Sequence, residues 1–194
     1  MQQIDESIFL FLNGLHNHFF DVFFWWATDA VNYLPFHIIA ILVVTWLAYR
    51  EFGKKIWMAL LFVVLTILFV TLTALLIEQS CELIKHSVCR LRPTHNPDIA
   101  SLVHVVNDYR GGKYGFPSAH AGNTFGIAMF LYCAMRPQRW TVIFFVWAAI
   151  MSYSRIYLGV HYLSDILCGA ALGTLIGWGM AAVFRKIRLL SRIT

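Results

Sequence analysis

The sequence predicts an all-α fold, a polytopic transmembrane helix bundle of five to six spans with an N-terminal interfacial helix. Of its 194 residues, 59% are hydrophobic and 13% are charged, about half the charged share of an average soluble domain. The mean hydropathy is +0.66. The charges gather in short clusters, and the stretches between them are apolar enough to cross a bilayer as helices. The length and the lack of linkers, low-complexity segments or internal repeats place residues 1–194 in one domain.

The N-terminus, MQQIDESIFLFL, has no basic region and no small-residue cleavage site nearby, so no cleaved signal peptide is expected. Residues 1–30 are aromatic-rich but interrupted by Asn13, His16, Asn17, His18, Asp21 and Asp29. This reads as an amphipathic helix lying at the membrane interface and running into the first span, with a sixth crossing as the alternative. Apolar runs follow at 31–49, 56–77, 114–135, 140–154 and 166–184. The fourth is the shortest, and extends to Arg155 if that arginine sits at the interface.

Basic clusters adjoin these runs: Arg50, Lys54 and Lys55; Arg136 and Arg139; and Arg185, Lys186, Arg188 and Arg192. The net charge of +5 therefore reads as a set of topology determinants and not as a nucleic-acid groove. Five spans put all three clusters on one side, the cytoplasmic one, with Trp46, Trp57 and Trp140 beside them as an interfacial belt. The opposite side receives the long connection 80–115 and the short joint 155–161. The four cysteines, Cys81, Cys89, Cys133 and Cys168, lack CxxC spacing and are expected to be small buried hydrophobes, neither disulfides nor metal ligands.

Unusual polar residues concentrate on that opposite side in three constellations. In KHSVCRLRP, residues 85–93, no helix breaker precedes Pro93. The helix of the second run is expected to continue to it, with Lys85 and Arg92 two turns apart on one face. A fork and a point charge there suit a phosphate clamp, although a basic helix end favoured by the helix dipole has the same composition. In GFPSAHAGNTFG, residues 115–126, Ser118 reads as a helix N-cap. The N–H groups of Ala119, His120 and Ala121 would then point out as an anion site, with His120 beside the anion. In SRIYLGVHYLSD, residues 154–165, His161 and Asp165 are four apart, so a carboxylate can fix the imidazole tautomer. Arg155 adds a cation at the same depth. Taken singly, each has an ordinary structural explanation. Together, the cations and the helix N-terminus define a phosphate site, and the two histidines offer a nucleophile and a proton donor. Two histidines without clustered thiolates or carboxylates make a poor metal shell, so no metal or other cofactor is expected.

The combined pattern, K-x6-R-P, then P-S-x-H, then S-R-x5-H-x3-D, resembles the type-2 phosphatidic acid phosphatase family, relatives of vanadium haloperoxidases and acid phosphatases. Here it is Lys85…Arg92-Pro93, Pro117-Ser118-Ala119-His120 and Ser154-Arg155…His161…Asp165, with 23 residues between the first and second motifs and 33 between the second and third. The resemblance covers roughly 56–184. One departure is Ala119, where the family commonly has glycine; alanine keeps the backbone N–H. The resemblance implies that His161 is the nucleophile, forming a phosphohistidine. Asp165 would orient it, and His120 would protonate the leaving oxygen. Lys85, Arg92, Ser118, Ala119 and Arg155 would hold the phosphoryl oxygens. The residues themselves rank His161 over His120 only through its partner Asp165.

A phosphate site at the membrane surface suits a lipid whose tail stays in the bilayer. Small bacterial members of the family act on undecaprenyl pyrophosphate, phosphatidylglycerol phosphate, phosphatidate or lipid A. The resemblance thus implies a phospholipid, polyprenyl pyrophosphate or lipid A as partner, with no nucleic acid and no protein partner. It also implies a bacterial inner membrane location with a periplasmic active site. Undecaprenyl pyrophosphate and lipid A are the substrates most expected. The loop VNDYRGGKYGFPSAH resembles that of family members from Bacteroidetes-type bacteria. Within the periplasmic loop 94–116, His95, His104, Arg110 and Lys113 are candidates for head-group selection, with surface solvation as their alternative role. A phosphotransferase of the same architecture and a solute transporter are the rival readings. The transporter would need charges near the bilayer midplane, where this chain is apolar.

Overall fold

The computed structural model describes residues 2–28, 34–135 and 139–190. The first residues of the expected first span (31–33), Asp29, Arg136 and Arg192 lie outside them. Among the described residues the fold is all-helical. Its helices are α1 (Gln2–Asn13), α2 (His18–Thr28), α3 (Leu34–Phe52), α4 (Ile56–Val88), α5 (Ala119–Ala134), α6 (Ile143–Tyr157) and α7 (Leu163–Leu190). Two helical segments, Ile56–Val88 and Leu163–Ile187, are long and apolar enough to cross a membrane, and α6 is a shorter apolar helix. Outward-facing residues such as Leu60, Leu68 and Leu75 on α4, and Leu167, Leu175 and Trp178 on α7, are exposed. Such a surface suits lipid.

The bundle turns on the contact between α5 and α7. Gly122 and Gly126 on α5 face Gly169, Gly173 and Gly177 on α7, so backbone lies against backbone. A methyl group at Gly173 would sit 2.0 Å from the Gly122 carbonyl oxygen, and one at Gly169 would sit 2.2 Å from that of Ser118. Small residues four apart recur on one helix face and let two helices approach this closely. At the basic end, Val44, Phe62, Phe69, Phe130 and Phe184 knit α3, α4, α5 and α7 into one apolar cluster.

Several expectations change. The helix of the second run does not reach Pro93. It stops at Val88 because Cys89 turns left-handed (φ 51°) and its N–H closes on the Lys85 carbonyl at 2.9 Å. This is a left-handed C-cap of the kind that glycine usually provides. Lys85 and Arg92 therefore do not share a helix face. Beyond the cap the loop doubles back: Arg92 N–H donates to the Lys113 carbonyl at 3.1 Å, and Gly115 N–H donates to that of Arg90 at 2.9 Å. The N-terminal segment is two helices, not one. Asn17 Oδ1 accepts from Phe20 N–H at 2.9 Å and starts α2 afresh. Both helices pack on the protein: Phe9 lies against Ile99, Ala121, Ile156 and Tyr162, and Phe24 against Tyr157 and Val160. Among the cysteines only Cys81 is buried, while Cys89 and Cys168 are exposed. Cys89 serves as the helix cap, and Cys168 lies on an exposed face of α7.

The close α5–α7 contact predicts that Gly173→Val costs about 1–3 kcal/mol of stability, the usual range for overpacking. It should lower the melting temperature in detergent. Gly179→Ala, whose added methyl would meet nothing within 4 Å, should leave the melting temperature unchanged.

Candidate active site

His161 sits in the turn between α6 and α7. The turn wraps around the end of α6: the N–H groups of Val160 and His161 both donate to the Arg155 carbonyl, at 3.0 and 3.3 Å. Gly159 reverses the chain at φ 77°, where a methyl group would meet Val103 at 2.6 Å. The ring is nearly fully buried, and Nδ1 faces Asp165 Oδ2 at 3.5 Å. That is a long approach of the kind seen between catalytic groups before substrate binds. Asp165, fully buried in the first turn of α7, divides its duties. Oδ2 accepts from Tyr162 N–H at 3.0 Å, Oδ1 accepts from Arg90 Nη1 at 2.8 Å, and its carbonyl accepts from Ser118 N–H at 2.9 Å.

That last bond brings in α5. Ser118 is fully buried and its Oγ accepts from Ala121 N–H at 3.4 Å, capping the helix. The Ala121 N–H is thus used inside the cap and is not available as the anion donor anticipated for it. Ala119 and His120 occupy the first turn above the cap. His120 is half-buried and within electrostatic reach of Arg155 and His161.

The cations arrive from three elements. Lys85, in the last turn of α4, pairs with Glu82. Arg92 is anchored by Nε to the Tyr114 carbonyl at 3.1 Å, and its guanidinium crosses the loop at Gly111. A methyl group there would lie 2.3 Å from Nη1, on a backbone with φ +65°. Arg155, only 6% exposed, donates from Nη2 to the Tyr109 hydroxyl at 3.1 Å. Burial, then the charges of Arg92, Arg155 and Lys85, hold the His161 pKa well below the usual histidine value. The imidazole is therefore neutral near pH 7, with a lone pair to offer. Burial and the neighbouring Arg155 lower the pKa of Arg92 as well, so the site concentrates positive charge. An anion is its natural complement.

The structure thus gathers Lys85, Arg92, Ser118, Ala119, His120, Arg155, His161 and Asp165 at one end of the bundle. Two residues that the sequence reading did not name stand among them, Tyr109 and Arg90. Burial would raise the Tyr109 pKa, but Arg155 and then Arg92 outweigh it, and the phenol is lowered overall. Trp25 of α2 meets the Tyr109 ring edge-on at 5.9 Å. Tyr109 lies in the same loop as the head-group candidates His95, His104, Arg110 and Lys113, and no charge or spacing marks it. Of those, Arg110 and Lys113 are exposed, while His95 is half-buried beside Thr94. His104 is not a solvated surface residue: its Nε2 contacts Asp21 Oδ1 at 2.8 Å and its ring stacks on His16 at 3.7 Å. It ties the loop to the N-terminal helices.

Comparison with known proteins shows the family to which the chain belongs. Residues 64–189 match the PAP2 superfamily. A lipid A 4'-phosphatase of Bacteroides thetaiotaomicron is 41% identical over 194 aligned residues, spanning 96% of this chain and 80% of the relative. A lipid A 4'-phosphatase of Porphyromonas gingivalis is 34% identical over 186, spanning 96% and 75%. Among solved structures, a transmembrane PAP2-type phosphatidylglycerolphosphate phosphatase from Bacillus subtilis superposes with a TM-score of 0.62 at 26% identity, covering 96% of this chain and 87% of that one.

The contact between Tyr109 and Arg155 yields a prediction. A hydrogen bond to a charged group is worth about 1.5–3 kcal/mol, so Tyr109→Phe should weaken inhibition by orthovanadate, an oxyanion probe of the site, roughly ten-fold or more. Dose–response curves for the two proteins measure this directly.

Proposed function

This chain is a membrane lipid phosphatase of the PAP2 superfamily, and we propose that it removes the 4'-phosphate of lipid A without a metal, through a phosphohistidine on His161. The observation that carries the mechanism is the buried His161 facing Asp165 at 3.5 Å among Arg92, Arg155 and Lys85. The substrate is supported by two relatives of that name, each aligned over 96% of this chain.

Asp165 faces Nδ1, so Nδ1 carries the proton and Nε2 carries the lone pair. Nε2 attacks phosphorus, a nitrogen–phosphorus bond forms, and the bond from phosphorus to the lipid oxygen breaks. His120, which the negative charge of the bound phosphate helps to protonate despite its burial and the neighbouring Arg155, donates the proton that oxygen needs. Water then attacks the phosphohistidine and gives a proton back to His120. Inorganic phosphate leaves, and His161 is restored. In both steps Lys85, Arg92, Arg155, Ser118 and the start of α5 hold the equatorial oxygens, where charge is spread in the transition state. Positioning and preformed charge supply the catalysis, and the lipid tail remains in the bilayer.

For topology we propose five spans, α3 to α7, in a bacterial inner membrane with the site on the periplasmic face. Arg50, Lys54 and Lys55 lie where α3 gives way to α4, and Arg185 and Lys186 lie near the end of α7. Both clusters are opposite the site, as cytoplasmic charges would be. The helices α1 and α2 then cover the periplasmic end at the interface.

The test is phosphate release by purified protein from lipid A, undecaprenyl pyrophosphate, phosphatidylglycerol phosphate and phosphatidate, with and without chelator. The expected result is the highest kcat/KM for lipid A, unchanged by chelator. His161→Ala should lose at least ~10³-fold in kcat. Preference for another lipid would overturn the substrate, and activity retained by His161→Ala would overturn the mechanism. Labelled phosphate appearing on a second lipid instead of in solution would make the enzyme a transferase.

A further inference from the structure

We infer that Arg90 and Asp5 are positioning residues for this reaction, a clamp through which the N-terminal helix holds the catalytic carboxylate. The inference rests on the phosphatase reading above. Arg90 occupies one of the variable positions inside the first motif, directly after the left-handed cap that ends α4. Its Nη1 donates to Asp165 Oδ1 at 2.8 Å and to Ser164 Oγ at 2.6 Å. Its Nη2 donates to Asp5 Oδ2 at 2.6 Å. Asp5 also accepts from Ser164, from the backbone N–H at 3.2 Å and from the hydroxyl. The guanidinium lies 4.1 Å over the Tyr162 ring. That tyrosine is in turn held by Asn96, which donates both to its hydroxyl and to Glu6, each at 3.0 Å.

Each contact has a consequence at His161. Asp165 has only two oxygens, and Oδ2 is the one facing the imidazole. Arg90 occupies the other oxygen, fixing the plane of the carboxylate and keeping it charged in a fully buried position. Asp5 in turn counters the positive charge of Arg90 and fixes the direction of its fork. The pairing is Asp5–Arg90–Asp165, one cation between two carboxylates, drawn from α1, the loop after α4, and α7. The charged and titratable groups facing Asp165 are Arg90 and Arg92 from the loop, His161 and Tyr162 from the turn, and Asp5 from α1. The helix α1, part of the segment expected at the membrane interface, thereby reaches the nucleophile through a carboxylate relay. Arg90 does not touch the reacting atoms; it acts through Asp165.

The experiment uses the purified full chain with lipid A as substrate, reading kcat, KM and the pH profile beside thermal stability in detergent. Arg90→Gln should lower kcat roughly 10- to 100-fold, the scale of losing a group that orients a working histidine's partner. KM should change little, because the phosphate cradle is untouched. The acid limb of kcat should move to higher pH, since a carboxylate without its guanidinium takes up a proton more readily. Arg90→Lys, which restores the charge, should recover part of both effects. Asp5→Asn should move both in the same direction by less, and Asp5→Asn combined with Arg90→Gln should be no worse than Arg90→Gln alone, as expected for two members of one clamp. Wild-type kcat and pH profile in Arg90→Gln would overturn the inference. So would equal losses in the Gln and Lys variants with an unmoved profile, which would mark Arg90 as merely structural. Should Arg90→Gln fail to fold, a wild-type kcat and profile in Asp5→Asn overturns it alone. Wild-type protein that releases no phosphate, or His161→Ala that keeps full activity, overturns the phosphatase reading and this inference with it.

Discussion

The site exists because α5 and α7 touch backbone to backbone. Any side chain larger than hydrogen at Gly169 or Gly173 would strike a carbonyl of α5 or of the residue that caps it. With glycine there, the first turn of α5 lies directly against the first turn of α7, and the Ser118 N–H reaches the Asp165 carbonyl at 2.9 Å. One bond thus joins the capping serine to the residue that faces His161. The two helix starts belong to segments more than forty residues apart, and no loop brings them together. The helix contact does, and it places two helix N-termini side by side, each a favourable location for negative charge.

Charge follows from that arrangement. Three cations crowd the buried histidine, and two of them, Arg92 and Arg155, lean on uncharged partners. Arg155 leans on the Tyr109 hydroxyl, Arg92 on the Tyr114 carbonyl, and Lys85 on Glu82 at the edge. The nearest buried carboxylate, Asp165, is committed to Arg90 on one side and faces His161 on the other. Positive charge is therefore left for an oxyanion, and the anionic partner strengthens as the site dries. The buried histidine cannot easily carry a charge of its own in that field, which suits the nucleophilic role proposed for it.

Much of this was legible in the sequence. The apolar runs set the helices, and the motif residues fell at helix ends because the chemistry restricts them to a few residue types at fixed spacing. Ser118 was readable as a cap since a serine after proline at the start of an apolar run has few other uses. Other features resist such reading for physical reasons. Cys89 adopts a left-handed conformation that its side chain does not advertise, so α4 ends before Pro93 and Arg92 arrives by a loop. The partnership of Asp5 with Ser164 and Arg90 joins positions far apart in the chain, and no local pattern encodes it. A phenol in a loop looks ordinary until two guanidiniums flank it, as Arg155 and Arg92 flank Tyr109. The glycines every fourth residue on α5 and α7 are only a spacing in the sequence, and the packed helices make them the contact that builds the site.

The most direct measurement is trapping the covalent intermediate. Protein mixed with lipid A bearing ³²P at the 4' position, quenched in alkali within milliseconds and digested, should carry label on the peptide containing His161. The label should survive alkali and be lost in acid, as a phosphohistidine is. Turnover without trappable label at His161, or with the label on another residue, would contradict the account.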